Sequence, residues 1–253
     1  MLKLKNKLAY VLGGNGLIGR SVIKKLENQG CKIINLDLKK DKNYKHTFLK
    51  FDCTNINSIE SYLNVVRKYG HPDIFISCAY PKTKDWDRNN FKNIKIKSLK
   101  DNIYNQLTLP SYLIRNVAEI NKKKKKRCSI VLVSSIYGIV GQDTSIYAGT
   151  KTKENLPYSI IKGATISLTK QMCAHYSKSG IRINCVSPGG IIDKTKIRSK
   201  VYHKLLRNYS KRCPIGRMAK PEEIADPIVF LASDSATYIT GTNLIVDGGW
   251  TSI

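Results

Sequence analysis

The chain opens on a strand, a glycine-rich turn and a helix, an order that leaves few folds available. Leu8 to Leu12 (L-A-Y-V-L) form a short apolar run suited to a buried strand, and Gly13-Gly14-Asn15-Gly16-Leu17-Ile18-Gly19 follows directly. Val22, Ile23 and Leu26 then recur at helical spacing. Glycines in such a turn let the backbone approach a pyrophosphate, and the helix N-terminus beyond offers free N–H groups to it. A second apolar run, Ile33-Ile34-Asn35-Leu36, ends at Asp37, eighteen residues past Gly19. A carboxylate there accepts hydrogen bonds from both ribose hydroxyls of an adenosine and repels a 2′-phosphate. The residues predict a dinucleotide site preferring NAD to NADP; a structural turn plus a surface aspartate is the plainer alternative.

Further apolar runs at Ile74–Ile76, Ile130–Val133, Ile183–Val186 and Leu244–Val246 are separated by segments of helix length. That alternation predicts an α/β fold, a doubly wound parallel sheet with helices on both faces. At 253 residues, without an internal repeat, Pro-rich linker or low-complexity tail, the chain fits a single domain over 1–253. Gly13 and Gly14 interrupt any signal-like apolar stretch, and no apolar run approaches the ~18 residues of a membrane span. The seven cysteines (31, 53, 78, 128, 173, 185 and 213) are scattered and form no C-x-x-C pair. They read as reduced core thiols in a cytoplasmic protein with no metal site.

Chemistry enters with two Tyr-x-x-x-Lys pairs eleven residues apart, Tyr147/Lys151 and Tyr158/Lys162. On a helix either pair shares a face, and a nearby positive charge lowers a phenol's pKa, which suits proton transfer. Pro157 would break a helix running on from Lys151. It suits the start of a helix carrying Tyr158, because its missing N–H is no loss there. Ile161, Ala164, Thr165, Leu168, Met172 and Cys173 continue that second helix at packed spacing.

With these pieces placed, the sequence resembles the short-chain dehydrogenase/reductase family over essentially its whole length. The resemblance is carried by L-G-G-N-G-L-I-G at 12–19, V-S-S ending at Ser134–Ser135, Y-S-I-I-K at Tyr158–Lys162 and G-I-R-I-N-C-V-S-P-G-G at 180–190. The stretch P-I-G-R-M-A-K-P-E-E-I-A-D through L-I-V-D-G-G-W, at 214–250, extends it. It implies a single-domain Rossmann fold and an NAD(P)-dependent oxidoreductase. Lys162 lies 22 residues before Asn184, which suits the family, and Lys151 lies 33 before it. Ser135 is 12 residues before Tyr147 and 23 before Tyr158, and the family's usual gap is near the first value. The resemblance therefore favours Tyr158, with an insertion at about 147–157.

What the family implies for these residues follows directly. Tyr158 exchanges the proton of the reacting hydroxyl while hydride passes between that carbon and the nicotinamide. Lys162 lowers the phenol's pKa and bonds the nicotinamide ribose, and Ser135 stabilises charge on the reacting oxygen. Gly13, Asn15, Gly16, Leu17, Ile18, Gly19 and Asp37 would hold the phosphates and adenosine. Asp52 and Cys53 would flank the adenine, Ala79 would pass over the adenosine ribose, and Pro188, Gly189 and Ile191 would wall the nicotinamide. Departures from the family pattern are Leu12, Leu17, Ser77-Cys78-Ala79-Tyr80 with Pro81, and Asp193. The fourth catalytic position, usually Asn, falls near Asn105 or Gln106, with Gln106 preferred. These departures together look like a subgroup found with flagellin-modification and legionaminic-type sugar genes.

Lys and Arg total 44 against 18 Asp and Glu, a net charge of +26, clustered at 39–50, 92–100, 122–127 and 194–212. An anionic partner would explain this; so would drift that enriches Lys, Asn and Ile together. A substrate lid is expected at about 193–212, where eight cations suit an anionic, sugar-like small molecule and Lys196 and Arg198 are the expected contacts. Reduction of a 3-oxoacyl group on acyl carrier protein is the rival activity. A catalytically idle dinucleotide-binding protein with a basic partner surface is the alternative class. The family further implies a homotetramer or homodimer built on helices near 102–119 and 158–177, with no specific nucleic acid and no membrane.

Overall fold

The structure, a computed structural model, describes residues 4–41 and 46–253. Part of the 39–50 basic cluster therefore lies outside the described residues. Seven strands form one parallel sheet: β1 (Leu8–Leu12), β2 (Lys32–Asp37), β3 (Thr47–Lys50), β4 (Ile74–Ser77), β5 (Cys128–Val133), β6 (Ile181–Pro188) and β7 (Asn243–Val246). Their order is β3-β2-β1-β4-β5-β6-β7. All the expected strands form; β3, T-F-L-K, has no run of apolar residues, and parallel pairing with β2 defines it.

Alternation along the strands divides the core between the two faces. Tyr10, Leu12, Phe75, Ile130, Leu132 and Ile183 meet α2 (Ile56–Glu60), α3 (Tyr62–Tyr69), α5 (Leu109–Lys123) and α6 (Leu156–Tyr176). Ala9, Val11, Ile74, Ile76, Val131 and Val186 meet α1 (Leu17–Asn28) and α8 (Pro221–Ala232). Strands buried on both sides must be apolar throughout, which is why they read as continuous runs. Polar residues inside the core have defined work. Arg182 donates to the carbonyls of Leu231, Ile239 and Ser233 at 2.9–3.1 Å, and Asn184 donates to Ile239 at 2.9 Å, so β6 holds the chain that returns as β7.

The remaining helices are α4 (Ile96–Ile103), joined to α5 by a wide π turn over Tyr104–Thr108, and α7 (Lys200–Arg212). Tyr209, Cys213, Met218 and Trp250 make a third cluster with Ile136 and Ile146, all from segments that follow the carboxyl ends of β5, β6 and β7. All seven cysteines are free. Among the described residues no group of His, Cys, Asp and Glu could hold a metal, and no helix is long and apolar enough to cross a membrane.

Candidate active site

The chain order reverses between β1 and β4, and in open parallel sheets the crevice at such a switch point receives ligands. A cleft of about 1220 Å³ opens there along the carboxyl ends of the strands. Leu12, Asp37, Ala79, Ser135 and Pro188 line it from or just beyond β1, β2, β4, β5 and β6.

One end is built by the glycine-rich turn. Gly13 has φ +75°, and a Cβ on it would lie 2.7 Å from the Ala79 backbone, so only glycine lets the turn press against the loop after β4. A Cβ on Gly16 would meet nothing closer than the Gly13 carbonyl at 3.2 Å, and no side chain caps α1 there. An uncapped helix start facing a cleft is suited to phosphate. Asp37 accepts from the backbone N–H of Asn15 at 2.9 Å and of Leu38 at 2.7 Å, so its carboxylate is fixed at the cleft edge. Asp52 accepts from the Thr54 N–H and hydroxyl at 2.9 and 2.7 Å and also lines the cleft. Arg20, Lys39 and Lys40 add cations at this end, with Arg20 paired to Asp41 at 3.0 Å.

Ser135, Tyr158 and Lys162 line the other end. Ser134 donates to the Lys162 carbonyl at 2.7 Å, and a Cβ on Gly138 would strike the same peptide at 2.6 Å. The loop after β5 is thus seated directly on α6, which brings Ser135 beside Tyr158. Asn155 caps α6 by accepting from the Tyr158 N–H at 3.0 Å and donates its own amide to the Trp86 carbonyl at 2.9 Å. Pro157 sits in the first turn of this helix, as the sequence predicts. Tyr80, Trp86 and Tyr137 surround the Tyr158 ring edge to face, at 5.7, 6.2 and 6.3 Å.

Burial dominates the electrostatics at this end. Burial pushes the Tyr158 phenol up, and the Ser135 hydroxyl beside it pulls part of the way back. Lys162 donates to the Val133 carbonyl at 3.0 Å, with its Nζ 5.5 Å from the centroids of both Tyr158 and Tyr80. The net direction for the phenol in the ligand-free cleft is upward, set by its removal from water. The ammonium is itself pulled down to about 8 by burial. A depressed lysine destabilises the fold while both states are charged, below about pH 8. Between that value and the ordinary 10.5 the unfolded chain holds the extra proton, so this penalty fades as pH rises. Lys162→Met should therefore stabilise the cofactor-free protein by about 2–3 kcal/mol at pH 7. Urea unfolding of both proteins checks this, and the gain should vanish near pH 10.5; no gain at pH 7 would contradict it.

Of the residues singled out in the sequence, Gly13, Asn15, Gly16, Leu17, Ile18, Asp37, Asp52, Cys53, Ala79, Ser135, Tyr158, Lys162, Pro188, Gly189 and Ile191 all line the cleft. Three sets of the expected residues stand outside the cleft wall. Gly19 is not in the cleft wall; a Cβ on it would fall 2.2 Å from the Gly13 carbonyl, so its smallness lets α1 pack against the turn. Gln106 is outside the cleft, lining with Lys162 a separate cavity of about 30 Å³. Its Nε2 donates to Asn102 at 3.0 Å and its buried Oε1 has no partner among the described residues. No residue of the expected lid at 193–212 lines the cleft; Lys196 instead pairs with Asp193 at 3.5 Å and Arg198 is exposed. Tyr147 is absent from the lining as well, half-buried in the loop before α6. Arg20 was missed: nothing in its local sequence marks it, since only the folded turn brings it to the cleft, whereas Ser134 was quoted in the V-S-S motif without being given a site role.

The family model described as enoyl-(acyl carrier protein) reductase matches residues 15–251. The chain belongs to the short-chain dehydrogenase/reductase family. As a member it is an NAD(P)-dependent oxidoreductase. It is 27% identical over 261 residues to post-translational flagellin modification protein A of Campylobacter coli, covering 98% of this chain and 99% of that one. It is 29% identical over 257 residues to a 3-oxoacyl-[acyl-carrier-protein] reductase of Buchnera aphidicola, covering 98% of each. A short-chain dehydrogenase of Leptospira borgpetersenii, solved with bound NAD+, superposes with a TM-score of 0.86 at 28% identity, over 98% of this chain and 93% of that one.

Proposed function

We propose that this dehydrogenase/reductase uses NAD to interconvert a secondary alcohol and its ketone on a compact, sugar-like, anionic substrate. The observation that carries the reading is one continuous cleft with Asp37 and the glycine turn at one end and Ser135, Tyr158 and Lys162 at the other. When bound, NAD supplies a nicotinamide C4 that accepts or donates hydride. Gly13, Asn15, Gly16, Leu17 and Ile18 would hold its phosphates, Asp37 its adenosine ribose, Asp52 and Cys53 its adenine, and Pro188, Gly189 and Ile191 its nicotinamide.

The protein's own work is the proton. Tyr158 takes it from the substrate hydroxyl in oxidation and returns it in reduction, and Ser135 hydrogen-bonds the reacting oxygen as charge develops. Lys162, beside them, would hold the nicotinamide ribose. The cavity it shares with Gln106 has room for water, which would give the proton a path past the π turn in place of the family's asparagine. Tyr80 in the cleft wall supports a ring-shaped substrate, because an aromatic face packs on C–H faces while a phenol hydroxyl meets polar groups. The Campylobacter relative's link to flagellin modification points the same way. Exposed Tyr104, Tyr112 and Ile160 on the π turn, α5 and α6 support assembly into a homotetramer or homodimer.

A second reading, reduction of a 3-oxoacyl thioester on acyl carrier protein, is favoured by the Buchnera relative's equally full coverage. Purified protein with NAD or NADP should be screened against phosphorylated sugars, nucleotide-linked sugars and an acetoacetyl thioester, following nicotinamide absorbance. Turnover of a sugar class above the thioester is expected. The reverse order would select the second reading, and cofactor binding without turnover of any would point to an idle dinucleotide-binding protein.

A further inference from the structure

We infer that Tyr202 and Tyr209 of α7 are positioning residues that fix the loop walling the reactive end of the cleft. The inference rests on that end receiving the nicotinamide. The loop runs from Gly189 to Asp193 and has two sides. Pro188, Gly189 and Ile191 face the cleft. Behind it, the Gly190 N–H donates to the Tyr209 hydroxyl at 2.8 Å and the Asp193 N–H donates to the Tyr202 hydroxyl at 2.7 Å.

The two tyrosines stand seven residues apart, two helical turns, and so share one face of α7. Both are buried, at 9% and 2% exposure, so solvent would not readily replace either hydroxyl. Other loop amides are held by backbone: Gly189 donates to Val246 at 3.0 Å and Ile192 to Ala219 at 2.8 Å. Gly190 and Asp193 depend on the phenols.

The fit is close on both sides. A Cβ at Gly189 would lie 2.7 Å from the Tyr209 hydroxyl, and one at Gly190 would lie 2.7 Å from its ring. The glycine pair therefore lets the loop press onto α7. Tyr209 cannot swing away freely, because its ring stacks on Trp250 at 4.6 Å and 20°. The Arg212 guanidinium lies 5.1 Å from the centre of the same indole. Between the two tyrosines, Asn208 donates to the Ile146 and Ala148 carbonyls, each at 3.0 Å. One helix thus joins the loop walling the cleft to the segment inserted before Tyr158. A freely swinging lid would not be tied at both ends; α7 acts as a brace.

Losing either hydroxyl leaves a backbone N–H without its partner, and the loop can relieve that only by shifting. The adenosine end, built from β1, β2 and the glycine turn, touches none of these groups. That contrast gives a test in which general damage and loss of positioning read differently. The full chain and its Tyr209→Phe and Tyr202→Phe variants are titrated with NADH, and separately with ADP, which lacks the nicotinamide half.

Tyr209→Phe should weaken NADH about 5–20-fold while ADP stays within about twofold, and Tyr202→Phe should change in the same direction. Gly190→Ala offers an independent route, since its methyl pushes the loop off Tyr209; it should show the same selective loss even if a phenylalanine variant folds poorly. Unchanged NADH affinity in all three, or equal losses for NADH and ADP, would overturn the inference alone. A wild type that binds NADH no more tightly than ADP would instead refute the placement of the nicotinamide, and the inference with it.

Discussion

Tyr158→Phe is expected to lower kcat by about 10²–10⁴-fold, the usual contribution of a positioned acid or base. The substitution removes one oxygen and keeps the ring, so the edge-to-face packing with Tyr80, Trp86 and Tyr137 survives. NAD affinity should stay within about threefold, because the loss falls on the transition state rather than on uniform binding. Tyr147→Phe is the control. Tyr147 lies in the loop at 139–155 and is not part of the cleft wall. Its loss should change kcat by less than about fivefold and act mainly on substrate KM. Steady-state kinetics of the two variants decide the matter, and the opposite pattern would move the acid/base role to Tyr147.

The pH profile should agree. Oxidation uses the phenolate, and burial raises the Tyr158 phenol above its ordinary value. Its deprotonated fraction therefore grows across the neutral and alkaline range, so kcat/KM for oxidation should climb with pH there. Reduction uses the phenol and should not climb. In Tyr158→Phe the residual activity should lose this dependence.

How far the sequence discloses this site varies with how local each feature is. The strand, turn and helix at 8–28 are legible because glycine, apolar run and helical period are all encoded within a few residues. The parallel sheet is legible for the same reason, its strands being buried on both faces. Strand β3 was not, since T-F-L-K becomes a strand only by pairing with β2. The choice of Tyr158 over Tyr147 needed Pro157 and the packed helix beyond it, and the structure adds Asn155, which caps that helix and reaches the Trp86 carbonyl. The lid expectation rests on charge read without packing. Lys and Arg dominate 194–212, yet the residues that fix this segment are Tyr202, Asn208 and Tyr209, whose partners are backbone groups distant in sequence. A phenol bonded to a remote amide leaves no periodic trace.

Asp37→Ala is expected to move the cofactor preference, read as the ratio of kcat/KM with NAD to that with NADP, by about 10²–10³-fold. Two effects add. On the proposed placement of the adenosine ribose, the variant would lose charge-assisted hydrogen bonds to its hydroxyls, which would lower kcat/KM with NAD. It also loses the anion that would repel a 2′-phosphate, which raises kcat/KM with NADP. Arg20, Lys39 and Lys40 line the same end of the cleft, so a phosphate admitted there would find cations without further substitution. Arg20 is engaged with Asp41 at 3.0 Å, which leaves the two lysines as the nearer source of attraction. The carboxylate also holds the Asn15 and Leu38 amides, so its removal will loosen the turn and weaken both cofactors. That shared loss cancels in the ratio, which is why the ratio is the measurement to make. Asp37→Asn, which keeps an acceptor oxygen but not the charge, should fall between wild type and alanine. A wild type whose kcat/KM is higher with NADP would sink the assignment, because it would mean that Lys39 and Lys40 outweigh the carboxylate beside them.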